Sequence, residues 1–191
     1  MMHIYTIIKR LAYRMRFFLR MPEFIFRKNS FGQSIFIEKD VYIRNCTIGN
    51  YVYLGIRSFF SNVDIGNYSS IAADVIIGAM EHPYWDLSTS TLLSNEGYDN
   101  KRTIIGHDVW VGTKCVIRQG VSIGDGAVIG ANTFVNKDIP PYAIAFGTPV
   151  RVYKMRFSED IIKELKNSRY WDFEPNCAKK ILEKIKNNNN V

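Results

Sequence analysis

An aliphatic residue returns every sixth position along much of this chain. The beat falls at Ile65, Ile71 and Ile77, stops, and resumes at Ile105, Val111, Ile117, Ile123, Ile129 and Val135. Cut into sixes, the second stretch reads IGHDVW, VGTKCV, IRQGVS, IGDGAV, IGANTF. The fifth position holds Val109, Cys115, Val121, Ala127 and Thr133, mostly small or β-branched residues. Eight of the 13 glycines directly follow an aliphatic residue: Gly49, Gly55, Gly66, Gly78, Gly106, Gly112, Gly124 and Gly130. A helix cannot use this pattern, because six residues span about 1.7 turns and the aliphatics would scatter over different faces. A long strand fails as well, since Gly and Asp would fall inside it. A strand of two or three residues closed by a turn satisfies both constraints, with the aliphatic pointing inward and glycine letting the backbone bend. Three such units make a triangular coil of about 18 residues. Stacked coils bury a continuous aliphatic column and pair their backbones as parallel strands. The beat, followed from about Val41 to Val135 with a slip at Phe59–Phe60, predicts roughly four coils.

The chain is long enough for one domain with appendages, and a hydrophobic content of 47% supplies its core. Three irregularly spaced cysteines form neither a disulfide framework nor a zinc knuckle, which fits a reducing compartment. No run of about 18 apolar residues offers a transmembrane span. Lys9, Arg10, Arg14 and Arg16 interrupt what could have been a secretion signal. The net charge of +7 is uneven: residues 1–28 carry seven Lys or Arg against Glu23 alone. The body is close to neutral, so it is no nucleic-acid platform. Ile4, Ile8, Leu11, Met15 and Phe18 give residues 4–20 the stripe of an amphipathic helix. This basic helix could cap the solenoid or dock peripherally on an anionic cytoplasmic membrane surface. Ser158, followed by Glu159 and Asp160, predicts a helix to about Lys166. A turn through Trp171, Phe173 and Pro175 then leads to a second helix at about 177–186, and the tail KNNNNV is expected to fray. The aromatics of YWDF (170–173) read as packing that seats this segment on the solenoid. The domains are a basic extension (1–34), the solenoid (35–152) with a loop at 79–103, and a C-terminal helical segment (153–191).

The break in the beat contains AMEHPYW (79–85) and His82, one of three histidines. A solenoid's flat sides are a poor catalytic surface, and a projecting loop supplies functional groups on a rigid scaffold. Cys115 takes an inward position and reads as a small core residue, not a nucleophile. His107 sits on a repeat corner with a structural or cofactor-lining role. No P-loop or GxGxxG sequence supports nucleotide hydrolysis or Rossmann binding.

The hexad pattern resembles the left-handed parallel β-helix of hexapeptide-repeat acyltransferases. DVWVG (108–112), VNKDIPPYAIAFGTPVRV (135–152), RFSEDIIKEL (156–165) and YWDF resemble their xenobiotic and polysaccharide O-acetyltransferase branch, which includes chloramphenicol and streptogramin acetyltransferases. Gln119 and Asn136 depart from it, standing where proline and threonine are commoner. The resemblance implies acetyl-CoA as co-substrate and His82 as general base. Direct transfer in a ternary complex then needs no covalent acyl-enzyme. It implies a cofactor groove lined by Trp110, Thr113, Ala131 and Asn136, with Lys137, Arg151 and Lys154 toward the CoA phosphates. Tyr84, Trp85 and Tyr98 would meet the acceptor. It also implies a homotrimer with CoA between subunits, and no metal. The acceptor expected is a hydroxyl of a cell-surface polysaccharide or its sugar precursor. An antibiotic hydroxyl, a sugar amine and a non-catalytic scaffold are the alternatives. A zinc carbonic anhydrase on this fold needs three converging histidines, and His3 lies in the terminal segment.

Overall fold

The computed structural model describes residues 28–94, 96 and 101–189. Short strands stack into a parallel β-solenoid with three faces. The first coil is β1 (Ser30–Phe31), β2 (Phe36–Ile37) and β3 (Tyr42–Arg44), and the second is β4 (Thr47–Ile48), β5 (Tyr53–Leu54) and β6 (Phe59–Ser61). The third is β7 (Val63–Ile65), β8 (Ser70–Ile71) and β9 (Ile76–Ala79). The fourth is β10 (Thr103–Ile105), β11 (Trp110–Val111) and β12 (Val116–Arg118), and the fifth is β13 (Ser122–Ile123), β14 (Val128–Ile129) and β15 (Phe134–Val135). A sixth begins with a bridge from Ile139 to Ile123 and continues into β16 (Ala143–Phe146). The chain then turns back through β17 (Arg151–Met155), which pairs antiparallel with β16. Each coil thus adds one strand to each of three sheets, here the first, second and third faces.

The described coils outnumber the four expected. The early ones escape the six-residue count because Ile43 to Ile48 and Phe60 to Ile65 are spaced by five. The corner between the third and first faces is one residue shorter there. Asn45 and Asn62 make it with left-handed backbones (φ 51° and 58°). The Asn45 amide donates to Asn62 Oδ1 at 2.8 Å, tying the two corners together. All nine beat residues that flank the loop are 0–2% exposed, as an inward column requires. Each contributes about 1.5–3 kcal/mol relative to exposure.

The repeat glycines serve a purpose other than bending. Gly66, Gly106, Gly112 and Gly130 lie outside the left-handed region, which falls two residues later, on Tyr68, Asp108, Lys114 and Asn132; Gly78, where the loop departs, is the exception. What they permit is close stacking. A Cβ on Gly66 would stand 2.6 Å from the carbonyl carbon of Gly106 in the next coil.

After β17 come α1 (Glu159–Ser168), a 3-10 turn (Tyr170–Asp172) and α2 (Pro175–Asn189). They cover the corner between the first and second faces. Tyr170 and Trp171 are buried there with Tyr142, Leu165, Ala178 and Ile185, so YWDF does pack. Asn67 donates to the Trp171 carbonyl (2.9 Å) and Tyr68 to that of Phe173 (2.6 Å). Ser158 occupies the N-cap position of α1 without a side-chain cap bond. Pro175 opens α2, where its missing N–H costs nothing. Of the tail expected to fray, residues up to Asn189 continue α2, and Asn189 donates to Glu164 at 2.8 Å.

At the other end the inward column stands open among the described residues. Phe31 is 50% and Ile37 42% exposed, against 0% for Leu54 one coil further on. The amphipathic helix expected at residues 4–20 lies outside the described residues. No helix among the described residues is long and apolar enough to cross a membrane.

Candidate active site

The loop leaves the solenoid at a β-bulge. Ile117 in β12 pairs with Ile77, but Arg118 pairs with Ala79, skipping Gly78. Gly78 has φ +71°, and a Cβ there would meet the Ser61 carbonyl oxygen at 2.1 Å, so only glycine makes this exit. Both feet of the loop are held by arginines. Arg118 bonds Glu81 through Nε (2.6 Å) and Nη2 (2.7 Å) at the entry. At the return, Arg102 Nε bonds Asp64 at 2.6 Å, and its Nη2 adds a second contact to that carboxylate. The remaining guanidinium donors reach the Asn45 carbonyl, Asn62 Oδ1 and Thr47 Oγ1, so the foot spans two coils. Arg102 holds the Asp64 carboxyl below its ordinary range.

Between these feet His82 is exposed, and its Nδ1 lies 2.8 Å from the Thr89 carbonyl oxygen. A carbonyl only accepts, so Nδ1 carries the proton. In the neutral ring Nε2 then bears the lone pair. Asp86 closes the same loop by accepting from Ser94 Oγ at 2.5 Å and from the Leu87 amide at 2.6 Å. Tyr84 and Trp85 meet edge to face, centroids 5.2 Å apart, and both are exposed. They form an aromatic platform beside His82. Tyr98 lies outside the described residues.

The expected cofactor residues fall at three places. Thr113 and Ala131 stack in adjacent coils at the corner between the second and third faces. Asn132 N–H donates to the Thr113 carbonyl (2.9 Å), Thr113 Oγ1 to the Ala73 carbonyl (2.8 Å) and Thr148 Oγ1 to the Asn132 carbonyl (3.1 Å). Arg151 opens β17 just past this column, opposite Phe146, and Lys154 lies further back opposite Ile144. Trp110 points outward from the second face, 55% exposed, between Ser70 and Val128. Asn136 and Lys137 follow β15, on the same edge of the third face as the loop. Within one chain the third face separates His82 from the Thr113–Ala131 column, a width on the order of 10 Å. The first outward residue of each of its five strands is Tyr42, Phe59, Ile76, Val116 or Phe134, all apolar or aromatic, while Arg44 and Arg118 end β3 and β12 on the loop side.

His107 and Cys115 have structural surroundings. His107 Nδ1 accepts from the Asn67 amide (3.0 Å), and the ring stacks on Trp171 at 5.1 Å. Burial lowers its pKa, and the Asp125 and Asp172 carboxylates oppose that only partly. Cys115 is fully buried, its thiol pushed up by desolvation, with Sγ 3.0 Å from the Gly130 carbonyl. Sequence reasoning missed Glu81, Thr89, Arg102 and Arg118. One signal was available: Ile117 is a beat residue followed by arginine, where Ile105, Val111, Ile123 and Ile129 are followed by glycine.

Residues 102–137 match the family "Bacterial transferase hexapeptide (six repeats)". A chloramphenicol acetyltransferase of Agrobacterium fabrum is 45% identical over 69 residues, 36% of this chain and 33% of that one. The crystal structure of a maltose O-acetyltransferase from Clostridium difficile 630 is 31% identical with a TM-score of 0.60, covering 68% of this chain and 70% of that one. The chain belongs to the hexapeptide-repeat acetyltransferases. Another member, a galactoside acetyltransferase in complex with coenzyme A, is 28% identical with a TM-score of 0.50, covering 76% of this chain and 70% of that one. The chain spans from 33% to 62% of the length of five curated relatives that it matches, among them a galactoside O-acetyltransferase of Escherichia coli K12.

Proposed function

We propose that the protein transfers an acetyl group from acetyl-CoA to a hydroxyl of a polysaccharide or its sugar precursor, with His82 as general base. The observation that carries this reading is the Nδ1–H bond from His82 to the Thr89 carbonyl, which turns Nε2 into the proton acceptor. Nε2 takes the acceptor's hydroxyl proton, and the oxygen attacks the thioester carbonyl. The tetrahedral oxyanion needs a donor such as a backbone N–H. Its collapse breaks the C–S bond, and the CoA thiolate takes back the proton held by His82. Cys46 and Cys115 are buried, and the exposed Cys177 lies in the first turn of α2 and not in the His82 loop, which favours direct transfer.

The separation of His82 from the Thr113–Ala131 column favours a homotrimer, in which the loop of one protomer meets the groove of its neighbour across the largely apolar third face. Trp110, Thr113 and Ala131 would line that groove. Lys137, Arg151 and Lys154 would meet the CoA phosphates, with Asn136 beside them. The maltose and galactoside acetyltransferases among the relatives support a sugar acceptor. A second reading, an antibiotic hydroxyl, draws on the chloramphenicol acetyltransferase match.

Free-thiol release from acetyl-CoA, followed across sugar hydroxyls, amino sugars and chloramphenicol, separates these acceptors. His82→Ala should lower kcat by about a hundredfold or more, with CoA affinity unchanged. Activity within about tenfold of the parent would remove His82 from the mechanism. Arg151→Ala should raise the KM for acetyl-CoA more than it lowers kcat, because a lost charged hydrogen bond costs roughly 1–3 kcal/mol.

A further inference from the structure

We infer that Arg118 is a positioning residue for the base, acting through Glu81 and Tyr84; this rests on the role of His82 proposed above. Arg118 ends β12, one coil beyond the loop's departure. The bulge at Gly78 brings it opposite Ala79, at the root of the loop. From there its guanidinium grips both sides of His82. Nε and Nη2 take the two Glu81 oxygens at 2.6 and 2.7 Å, and Nη2 also donates to Tyr84 Oη at 3.2 Å. Glu81 immediately precedes His82, and Tyr84 follows it by two positions. The tight turn between them is closed by a bond from the Tyr84 amide to the His82 carbonyl at 2.7 Å. His82 therefore sits in a segment tied at both ends to one side chain of the rigid solenoid.

A planar fork is what this task needs. It fixes the carboxylate in two dimensions and leaves an edge for the phenol, which a lysine cannot reproduce. The contacts are partly exposed, with Arg118 at 36% and Glu81 at 26% side-chain accessibility, so the pair is worth little as a stabiliser. Its consequence is orientation. With the entry strand fixed, the ring can present Nδ1–H to the Thr89 carbonyl. Without it the segment swings, and the ring loses the bond that selects its tautomer. The same guanidinium fixes Tyr84, so the base and the aromatic platform keep one geometry relative to each other.

The test uses the full-length chain with Arg118→Gln, Glu81→Gln, Arg118→Lys and the swapped pair Glu81→Arg/Arg118→Glu. Long-range proton–nitrogen correlation on selectively labelled histidine reads the tautomer of His82, assigned by its loss in His82→Ala. The parent should show the Nδ1–H form. Both glutamine variants should shift toward the Nε2–H form that a histidine in water favours, and the swapped pair should move back. In turnover, the glutamine variants should lose about 10–100-fold in kcat, as a misplaced base does, with the KM for acetyl-CoA and the melting temperature nearly unchanged. Arg118→Lys should fall between them and the parent. Glutamine variants with the parent's tautomer and kcat would overturn the inference, as would a kcat loss matched by a fall in melting temperature. If the parent acetylates no hydroxyl, the proposed function fails instead, and the tautomer result still decides the positioning role of Arg118.

Discussion

Gln119 is the residue least at ease in this structure. Its side chain is buried, and among the described residues neither Oε1 nor Nε2 has a hydrogen-bond partner. A buried polar group left unmade costs about 1–3 kcal/mol. Methionine keeps the shape and removes both orphan atoms, so Gln119→Met should raise stability by about 1 kcal/mol or more, read as a higher melting temperature. A lower one would mean that the amide has a partner in the working assembly. His107 makes a pH prediction. Its folded-state pKa is lowered by burial, so the folded protein binds fewer protons than the unfolded chain below the ordinary value of 6.5. Its contribution is complete above pH 6.5 and is lost as pH falls from there through the lowered folded value. The melting temperature should drop on acidification from pH 7.5 to 5.5, and His107→Gln, which can still accept from the Asn67 amide, should flatten that drop. An equal drop in both proteins would assign the effect elsewhere.

Among the elements, the first coil carries the clearest demand. Phe31 and Ile37 point along the inward column yet remain half exposed, and a solenoid needs its end covered. The basic segment before it has two separable attractions, its +6 charge and its apolar stripe. As an end cap, it makes the intact chain more stable than one starting at Asn29 and indifferent to vesicles. As a membrane anchor, it binds anionic vesicles at low salt and releases them at high salt, since each basic residue contributes about 1 kcal/mol near such a surface. Co-sedimentation of both chains at two salt concentrations separates these outcomes; the acceptor reading that places sugar precursors at a membrane expects binding by the intact chain alone. The solenoid itself was legible in the sequence because one inward residue per strand is a strict periodic signal. The early coils were hidden where a five-residue corner broke the count. The histidine loop was legible as an interruption. The guanidinium contacts that hold it were not, because Arg118 and Glu81 lie 37 positions apart and meet only through a bulge. The α2 extension was missed for a related reason: Asn187–Asn189 have weak helix propensity, and the Asn189 bond to Glu164 supplies a tertiary contact that sequence spacing does not reveal.

For the whole molecule, the account depends on a division of labour between protomers. In the proposed function, each chain places its base, His82, at one edge of the third face and its cofactor column at the other, with a largely apolar surface between. Light scattering should give a trimer mass. Subunit complementation tests the claim more directly. His82→Ala removes the base, and Ala131→Glu places a charged side chain in the column where the pantetheine should run. Each variant alone should be nearly inactive in thiol release from acetyl-CoA. Unfolded and refolded together, they should regain activity, because mixed trimers pair an intact loop from one protomer with an intact groove from the next. Mixtures that remain as inactive as the separate variants, while forming mixed trimers, would contradict a shared site and place base and cofactor within a single chain.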